Sequence, residues 1–267
     1  MSIDRKFDQW NWMQCADIEV VRARMGPCGL GEHFHDKWSI GLILQGVCRF
    51  HSGNRQYEVM AAELFMIPPY EVHKCAAASS DVMYQVMYIS DDRLAAIAPH
   101  LKQFVAGSSV RLKLLPAFLF RLLQQITGEE KDDAVLNDSF RQLDLFFCNG
   151  ALSCQPKSRH PLQNILHLGW EQAINLGEAE QTTRYSRWHA VRTFQQHIGL
   201  SPRLYLRQLR ALKARYMLQQ GRPLAEVANA LHFADQAHFS RVFKSVFGVP
   251  PGKLQRVMLG KSSRKNS

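Results

Sequence analysis

Hydrophobic residues in the first third of the chain occur in short runs or alternate with polar residues, and both patterns are typical of β-strands. A Ser-Gly-Asn turn separates two of the alternating segments, and Pro68 and Pro69 follow another, as expected where a hairpin turns and where a strand stops. Short strands with regular turns predict a small β-barrel or jelly roll. The predicted strands are residues 41–46, 47–51, 56–59, 64–67 and 82–89.

From residue 91 onward the spacing of hydrophobic residues becomes helical. Residues 94–104, 115–126 and 134–147 repeat apolar side chains at every third or fourth position, which predicts amphipathic helices. The apolar stripe of the last segment could pack against a second copy of the chain or against the barrel, and the pattern leaves both alternatives open. This stripe is Leu136, Phe140, Leu143 and Phe147.

One pattern occurs twice in the last third of the chain. Residues 192–202 and 241–251 share the frame Arg-x-Phe, three further positions, Ile or Phe, Gly, Leu or Val, any residue, and Pro. Glycine at the end of a helical segment, with proline two or three residues later, is typical of a helix C-terminus. Because a helix-turn-helix pattern precedes the shared frame both times, the repeat predicts two helix-turn-helix units.

Each copy contains a helix with one apolar and one polar face. Ser186 is predicted to cap the first helix and Asp235 the second, while Phe239, Phe243 and Phe247 are predicted to be core. Arginine and glutamine on the polar faces can make bidentate contacts with guanine and adenine edges; the alternative is an ordinary helix with a solvated basic face. The candidate DNA-contacting residues are Arg187, Trp188, Arg192, Gln236, His238, Arg241 and Lys244.

Charge is divided unevenly between the two halves. Residues 1–150 carry 15 Lys and Arg against 18 Asp and Glu, whereas residues 151–267 carry 18 against 5, and the whole chain has a formal net charge of +10. A nearly neutral half joined to a strongly basic half indicates a sensor attached to a nucleic-acid binder.

The motifs of the basic half resemble those of the AraC/XylS family of transcriptional regulators. Residues 225–251 are similar to the family's C-terminal signature and residues 185–194 to its first motif. The resemblance implies helix-turn-helix motifs at about 176–197 and 224–247, a linker helix at about 202–219, and Trp188 and Arg192 facing the major groove. The chain departs from the family pattern at His232, where Gly is usual, at Ala237, and in the polar segment around 176–183.

The first half is similar to the cupin pattern. His33-Phe34-His35 matches the H-x-H of the first cupin motif, and Pro68 and His73 match the proline and histidine of the second. The carboxylate usual after the H-x-H is absent, because Ser39 and Ile40 occupy that region, and Tyr70 replaces the usual glycine of the second motif.

Three histidines that converge in a barrel could bind a metal, since imidazole is a common transition-metal ligand, or could hydrogen-bond within the barrel. The AraC resemblance implies an organic effector without a metal, so no cofactor is expected. Polar and aromatic side chains in an apolar cup form a small-molecule site. The candidate effector-binding residues are Arg24, His33, His35, Trp38 and His73.

The expected fold class is therefore α+β. Residues 1–155 are expected to form a cupin-like effector-binding and dimerisation barrel with flanking helices. Residues 156–267 are expected to form an all-α domain with two helix-turn-helix motifs joined by a linker helix. Residues 149–160 contain Gly, Ser and Pro and are expected to link the two domains.

The expected partners are double-stranded DNA, a small-molecule effector, a second copy of the chain in a homodimer, and RNA polymerase. Residues 1–12 lack the apolar core of a signal peptide, and the apolar stretch around 114–120 is too short to span a bilayer. A cytoplasmic regulator without a membrane partner is therefore expected, and the six cysteines, which show no C-x-x-C spacing, are expected to be free thiols. A cupin enzyme with a complete metal site and an architectural DNA-binding protein are the alternatives.

Overall fold

The computed structural model describes residues 10–15, 18–25, 29–52, 55–105, 110–112, 133–148, 159–170 and 186–260. The chain divides by its contacts into two compact units, residues 1–29 with 35–157, and residues 30–34 with 158–267. Within the described ranges, no helix is both long enough and apolar enough to cross a membrane.

The described strands form two antiparallel sheets, which are called the barrel below. The six-stranded sheet has the order β1-β2-β9-β4-β7-β10, and the four-stranded sheet has the order β3-β8-β5-β6. The strands are β1 (Trp10–Cys15), β2 (Ile18–Met25), β3 (Leu30–His33), β4 (Trp38–Gln45), β5 (Val47–Ser52), β6 (Arg55–Met60), β7 (Leu64–Ile67), β8 (His73–Ala77), β9 (Val82–Ile89) and β10 (Val110–Leu112).

Alternate residues of the six-stranded sheet face two different cores, because successive side chains of a strand point to opposite faces. Trp38, Ile40 and Leu42 of β4 belong to the core that the sheet shares with helices. Ile43 of the same strand belongs to the barrel interior, together with Phe50 of the other sheet. The five predicted strands are confirmed, and β1, β2, β3, β8 and β10 were not predicted.

Three described helices follow the strands: α1 (Asp91–Ile97), α2 (Pro99–Val105) and α3 (Asp133–Cys148). The single helix predicted at 94–104 is wrong, because the chain breaks at Ala98 (φ −147°, ψ 65°), and the ring of a proline disfavours helical geometry in the preceding residue. Phe140 of the predicted stripe is fully buried in the core shared with the sheet. The helix predicted at 115–126, most of the 149–160 linker and the side chains of Leu136, Leu143 and Phe147 lie outside the described residues.

The second unit is helical in its described part. Its helices are α4 (Pro161–Leu168), α5 (Arg187–Ile198), α6 (Pro202–Gln219), α7 (Leu224–Ala230), α8 (Gln236–Phe247) and α9 (Pro251–Met258). The predicted linker helix is confirmed as α6, and α7 and α8 form the predicted second helix-turn-helix. The polar segment at 176–183 lies outside the described residues.

The turn between α7 and α8 contains a residue in the left-handed conformation. His232 has φ 56°, and its N–H donates to the carbonyl oxygen of Asn229 at 3.0 Å. This conformation costs an L-residue about 1–2 kcal/mol relative to a right-handed one, whereas glycine adopts it freely. The position therefore favours glycine, which agrees with the family pattern from which His232 departs.

We expect H232G to raise the free energy of unfolding of the full chain by about 0.5–1 kcal/mol, because glycine removes the steric cost of the positive φ. Chemical denaturation followed by circular dichroism measures the change. The matched control is A234G, two residues further on, where φ is not positive and glycine only adds unfolded-state entropy. A loss of stability in both variants would contradict this explanation.

Candidate DNA interface and barrel site

The two repeated helices are delimited in the same way. Ser186 caps α5 by accepting a hydrogen bond from the N–H of His189 at 3.4 Å, and Asp235 caps α8 by accepting one from the N–H of His238 at 2.6 Å. Each helix has 12 residues and ends at a left-handed glycine, Gly199 with φ 91° and Gly248 with φ 74°. The predicted caps and ends are confirmed. The sequence repeat therefore corresponds to two helices of equal length with the same kind of cap at each end.

The predicted polar face of α5 is exposed. The side chain of Trp188 is 86% exposed, which is unusual for the largest apolar side chain. Arg187 and Arg192 are exposed beside it, while Ala190 and Phe194 on the opposite face are buried. Trp188 and Arg192 are one helical turn apart, so both can reach the same surface.

The polar face of α8 is only partly exposed. Gln236 and Arg241 are exposed, but His238 and Lys244 are half-buried. The ring of His238 packs edge-on against Phe233 with 5.6 Å between ring centroids, and its buried Nδ1 has no hydrogen-bond partner among the described residues. The predicted projection of His238 towards solvent or a partner is therefore only partial, because its ring covers the turn that precedes α8.

The predicted phenylalanine stripe of α8 is confirmed at two positions and modified at the third. Phe239 and Phe243 are fully buried. Phe247 is only half-buried, and Val246 takes the buried position in the last turn. The ring of Phe247 packs against that of Phe243 at 4.5 Å between centroids.

Both repeated helices are held by the linker helix α6. Phe194 of α5 meets the ring of Tyr205 edge-on at 5.5 Å between centroids. The guanidinium of Arg215 on α6 lies 5.9 Å from the ring centroid of Phe247 on α8. These contacts fix the orientation of the two exposed faces relative to one helix.

Acidic side chains are scarce around these helices. Between residues 186 and 260 the sequence has only Glu226 and Asp235. Glu226 pairs with Arg222 at 2.8 Å, and Asp235 caps α8. Since both carboxylates have local structural roles, the surface potential around α5 and α8 is dominated by arginine and lysine, as required for binding a polyanion.

A hydrogen-bond network fastens α4 to α6. The hydroxyl of Tyr205 accepts a bond from Nε2 of Gln163 at 2.9 Å and lies 2.8 Å from Nε2 of His167. Burial, with the nearby charges of Arg159 and Lys213, lowers the pKa of His167 to about 4. The imidazole is therefore neutral at physiological pH, and its Nε2 can accept the hydroxyl proton of Tyr205.

In the barrel, the structure brings the three predicted histidines together. His33 ends β3, His73 begins β8, and His35 follows β3 by two residues. All three are buried, and one ring nitrogen from each lies within 4.8 Å of the others. The ring of His35 is 5.5 Å from that of His73 and 4.9 Å from that of Tyr88 between centroids.

Backbone groups hold this cluster. Nδ1 of His33 lies 2.8 Å from the carbonyl oxygen of Gly31, and Nδ1 of His73 lies 2.9 Å from that of Glu71. The N–H of Tyr70 donates to the carbonyl oxygen of His35 at 2.7 Å. Tyr70 adopts φ 63° to do so, which explains why glycine is usual at this position of the cupin pattern. Burial lowers the pKa of His73 to about 4.

Two other effector candidates lie elsewhere. Trp38 belongs to the core shared with the helices, and its Nε1 donates to Asp91 of α1 at 2.9 Å. Arg24 points to the face of β2 opposite Ala23 and Met25, and its guanidinium pairs with Asp81 at 3.4 Å. Neither residue joins the histidine cluster. Successive side chains of a strand point to opposite faces of the sheet, and both residues lie on the face that is turned away from the barrel interior.

Sequence reasoning missed Ser39 and Tyr88 as neighbours of the cluster. They are paired across β4 and β9, so their side chains share a face of the sheet, and Tyr88 contacts His35. Ser39 is 3% exposed, and its Oγ has no hydrogen-bond partner within the described ranges. The sequence carries no signal for the inward position of Ser39, because only the structure shows that Trp38 and Ile40 on either side of it face the helices.

The rest of the barrel interior is mostly apolar and aromatic, and its buried Ser52, which pairs with His73 across β5 and β8, donates to the carboxylate of Glu71. Phe50 packs against Phe65 and Tyr57 with ring centroids 4.6 and 5.6 Å apart. Burial raises the pKa of the Cys48 thiol to about 12 and that of Cys75 well above its usual value, so both free thiols stay neutral. The histidine cluster is thus a polar group next to an apolar interior.

Comparison with known proteins identifies the class. Residues 17–143 match the AraC-like ligand binding domain, and residues 181–256 match a helix-turn-helix domain. Together the two matches span most of the chain. The chain belongs to the AraC/XylS family of transcriptional regulators: it is a DNA-binding regulator with a ligand-binding N-terminal domain.

Individual relatives agree with the assignment over nearly the whole length. The transcriptional activator RhaS of Pectobacterium carotovorum is 23% identical over 254 residues, covering 88% of this chain and 91% of that protein. The Msm operon regulatory protein of Streptococcus mutans is 26% identical over 275 residues, covering 96% and 97%. The crystal structure of apo ToxT from Vibrio cholerae has a TM-score of 0.64 at 13% identity, covering 91% and 98%, and thus shares the fold.

We expect acidification from about pH 7 to about pH 5 to destabilise the chain partly through His167. The unfolded state takes up a proton near the ordinary histidine pKa of about 6.5, whereas folded His167 resists protonation down to about 4. Its contribution is therefore complete above pH 6.5 and is lost between there and about pH 4. The denaturant midpoint is measured at both pH values. Its decrease from pH 7 to pH 5 should be smaller for H167Q than for the wild type.

The matched control is H189Q, which removes an exposed histidine of α5. It should keep the wild-type dependence of the midpoint on pH. Equal losses for wild type, H167Q and H189Q would show that His167 does not contribute to the acid sensitivity.

Proposed function

We propose that this regulator reads DNA with the exposed faces of α5 and α8, and that a small molecule held at the histidine end of the barrel controls this binding. The observation that carries the proposal is the equivalent position of Arg192 and Arg241, 49 residues apart in two helices with the same caps and ends. A duplicated cap alone would serve stability, but an exposed arginine repeated at the same helical position suits base recognition.

The proposed contacts divide into two kinds. Arg192, Arg241 and Gln236 are assigned to base edges, because their exposed planar groups can make paired hydrogen bonds. Trp188 is assigned to an apolar contact in the groove, for example with a thymine methyl group. Arg187, Lys244 and His238 are assigned to phosphate contacts or to support of the reading face, which position the protein without specifying sequence.

The linker helix suits recognition of two successive major grooves by one chain. Its 18 residues span roughly 27 Å at the rise of an α-helix. Successive major grooves on one side of DNA are about 34–36 Å apart. A helix of this length, with one reading helix packed near each end, supports a site made of two segments about one turn apart.

Homodimerisation and contact with RNA polymerase belong to the same proposal. Leu145 of α3 is 65% exposed, which supports a role for this helix in pairing two copies. Relatives named as activators support a contact with RNA polymerase. Sedimentation at several protein concentrations tests the homodimer.

Regulation is favoured over catalysis for the barrel. From β2 onward, the barrel lies in the part of the chain that matches the AraC-like ligand binding domain. The residues proposed to contact the effector are His33, His35 and His73, with Ser39 and Tyr88 beside them. An apolar interior with one polar end suits a small organic molecule with a single polar group.

We expect R192A and R241A each to weaken binding to the specific site by about 1–3 kcal/mol, with little loss on random DNA, because a lost base contact affects only the correct sequence. Sequencing of DNA fragments selected by the full-length protein defines the site. The two variants should lose base preference in different segments, about 10–10.5 bp apart.

The matched control is R203A, which removes an exposed arginine from the linker helix instead of a reading helix. It should weaken specific and random DNA by similar factors. Equal weakening on both kinds of DNA by R192A and R241A would show that these arginines contact phosphates only, and a single selected segment would exclude α5 or α8 as a reader.

We expect a small-molecule effector to stabilise the full-length chain by about 2.7 kcal/mol at 100 times its Kd. The same effector should change DNA affinity by about 5–150-fold, and specific DNA should change effector affinity by the same factor. Thermal shift against a metabolite panel finds the effector, and titration in the presence and absence of DNA measures the coupling.

The variant pair H35Q and R24Q separates the histidine end of the barrel from its outer face. H35Q should weaken effector binding, and R24Q should leave it unchanged, because Arg24 points away from the interior. Unchanged binding in H35Q would place the effector elsewhere, and a hit that leaves DNA affinity unaltered would contradict effector control.

A further inference from the structure

The two repeated helices differ in the side chain that lies one turn before the shared arginine. With the offset of 49 residues, Trp188 of α5 and Ala237 of α8 occupy the same helical position. Both side chains are exposed. Each lies four residues before an exposed arginine, Arg192 or Arg241, and therefore shares a face of its helix with that arginine. The two helices thus present different groups at an equivalent place.

Ala237 presents a methyl group and no hydrogen-bonding atoms. Thymine is the base that presents a methyl group in the major groove, and alanine is one of the residues that contact it. We propose that Ala237 is a base-reading residue of α8 that contacts the C5-methyl group of one thymine. The proposal rests on the proposed reading of DNA by α5 and α8, and it adds a base preference at one position of the site.

The start of α8 is held in a way that leaves Ala237 exposed. The carboxylate of Asp235 accepts a hydrogen bond from the N–H of His238 at 2.6 Å, and the ring of His238 packs back against Phe233. Gln236 and Ala237 are the exposed residues of this first turn. Because the N-terminal residues of a recognition helix are those that contact base edges, the methyl group of Ala237 lies where a base contact is made.

The small side chain also determines how closely α8 approaches the bases. A methyl group extends only one carbon from the backbone, so it reaches a thymine methyl only when the helix lies close to the floor of the groove. The indole of Trp188, at the same position of α5, is 86% exposed and projects much further from its helix. The two helices therefore contact their segments at different depths, and the two segments of the site differ in sequence.

An exposed alanine in a helix also has a purely structural explanation, because alanine has the highest helix propensity. The two explanations differ in what they predict for DNA. A helix former stabilises the folded chain and leaves the affinity independent of any methyl group on a base. A methyl contact makes the affinity depend on one thymine. The place of Ala237 one turn before Arg241, matched by an exposed tryptophan in α5, favours the contact.

The test uses the full-length protein and its selected DNA site, in which thymines are replaced one at a time by deoxyuridine. This replacement removes only the C5-methyl group. At one thymine of the segment whose base preference is lost in R241A, it should weaken binding by about three- to fivefold, the value of one buried methyl group. Four residues of a helix rise about 6 Å, and stacked base pairs are about 3.4 Å apart. The sensitive thymine should therefore lie within about two base pairs of the base that Arg241 reads.

A second comparison separates the methyl group from the base pair that carries it. Cytosine and 5-methylcytosine are placed at the sensitive position, each opposite guanine. Because Ala237 cannot form hydrogen bonds through its side chain, it responds only to the methyl group. The site with 5-methylcytosine should therefore bind about three- to fivefold better than the site with cytosine.

Variants connect the methyl effect with Ala237. A237G should bind thymine and deoxyuridine sites equally well, and cytosine and 5-methylcytosine sites equally well. The matched control is A230G, which makes the same change at an exposed alanine of α7 and should keep the full methyl effect. A237S, which makes the side chain polar without adding glycine, should reduce the effect. Circular dichroism checks that each variant is folded.

The outcomes separate this contact from the reading function on which it rests. If no thymine in the segment read by Arg241 is sensitive to deoxyuridine, or if the methyl effect persists in A237G, the proposal is overturned. DNA reading by α8 still stands in both cases, provided that R241A loses its base preference in that segment. If no segment depends on Arg241, the reading function of α8 fails together with the contact.

Discussion

The position of the two repeated helices, α5 and α8, depends on the packing of aromatic rings against the linker helix α6. Tyr205 is fully buried and meets Phe194 of α5, and Arg215 reaches Phe247 of α8. Neither 12-residue helix would be stable alone in water, because isolated helices of this length are marginal. Their orientation is therefore a property of the shared core and not of each motif by itself.

The stability of this core allows the exposed faces of α5 and α8 to be strongly basic. Twelve arginines and lysines between residues 186 and 260 face only two carboxylates, and their mutual repulsion opposes the compact state. Burial of Phe239 and Phe243, at about 1.5–3 kcal/mol for each side chain, offsets this cost. The fold can therefore tolerate a strongly basic surface that has few carboxylates of its own, before a polyanion binds to it.

The features that could be predicted from the sequence are those fixed by local chemistry. The caps Ser186 and Asp235 and the ends at Gly199 and Gly248 depend on side-chain oxygens and on a positive φ, so residue type alone predicts them. The convergence of the three histidines was also predicted, because their spacing in the sequence is similar to that of the two cupin motifs.

The features that were missed depend on contacts distant in sequence. β2 carries arginines on its outer face and was not predicted, because its hydrophobic alternation becomes clear only once β1 and β9 are paired with it. Trp38 was assigned to the pocket because the sequence does not show which of the two alternating sets of β4 side chains faces the barrel interior. The partial burial of His238 was not predicted, because its packing on Phe233 crosses a turn.

The protonation state of the barrel interior decides what kind of molecule the barrel can accept. Burial keeps His73 neutral, with its pKa near 4, and the buried Cys48 and Cys75 thiols are neutral as well. An anionic effector would lose its hydration on entering such an interior without gaining an opposite charge from these groups. The interior therefore favours a neutral ligand over a carboxylate or a similar anion.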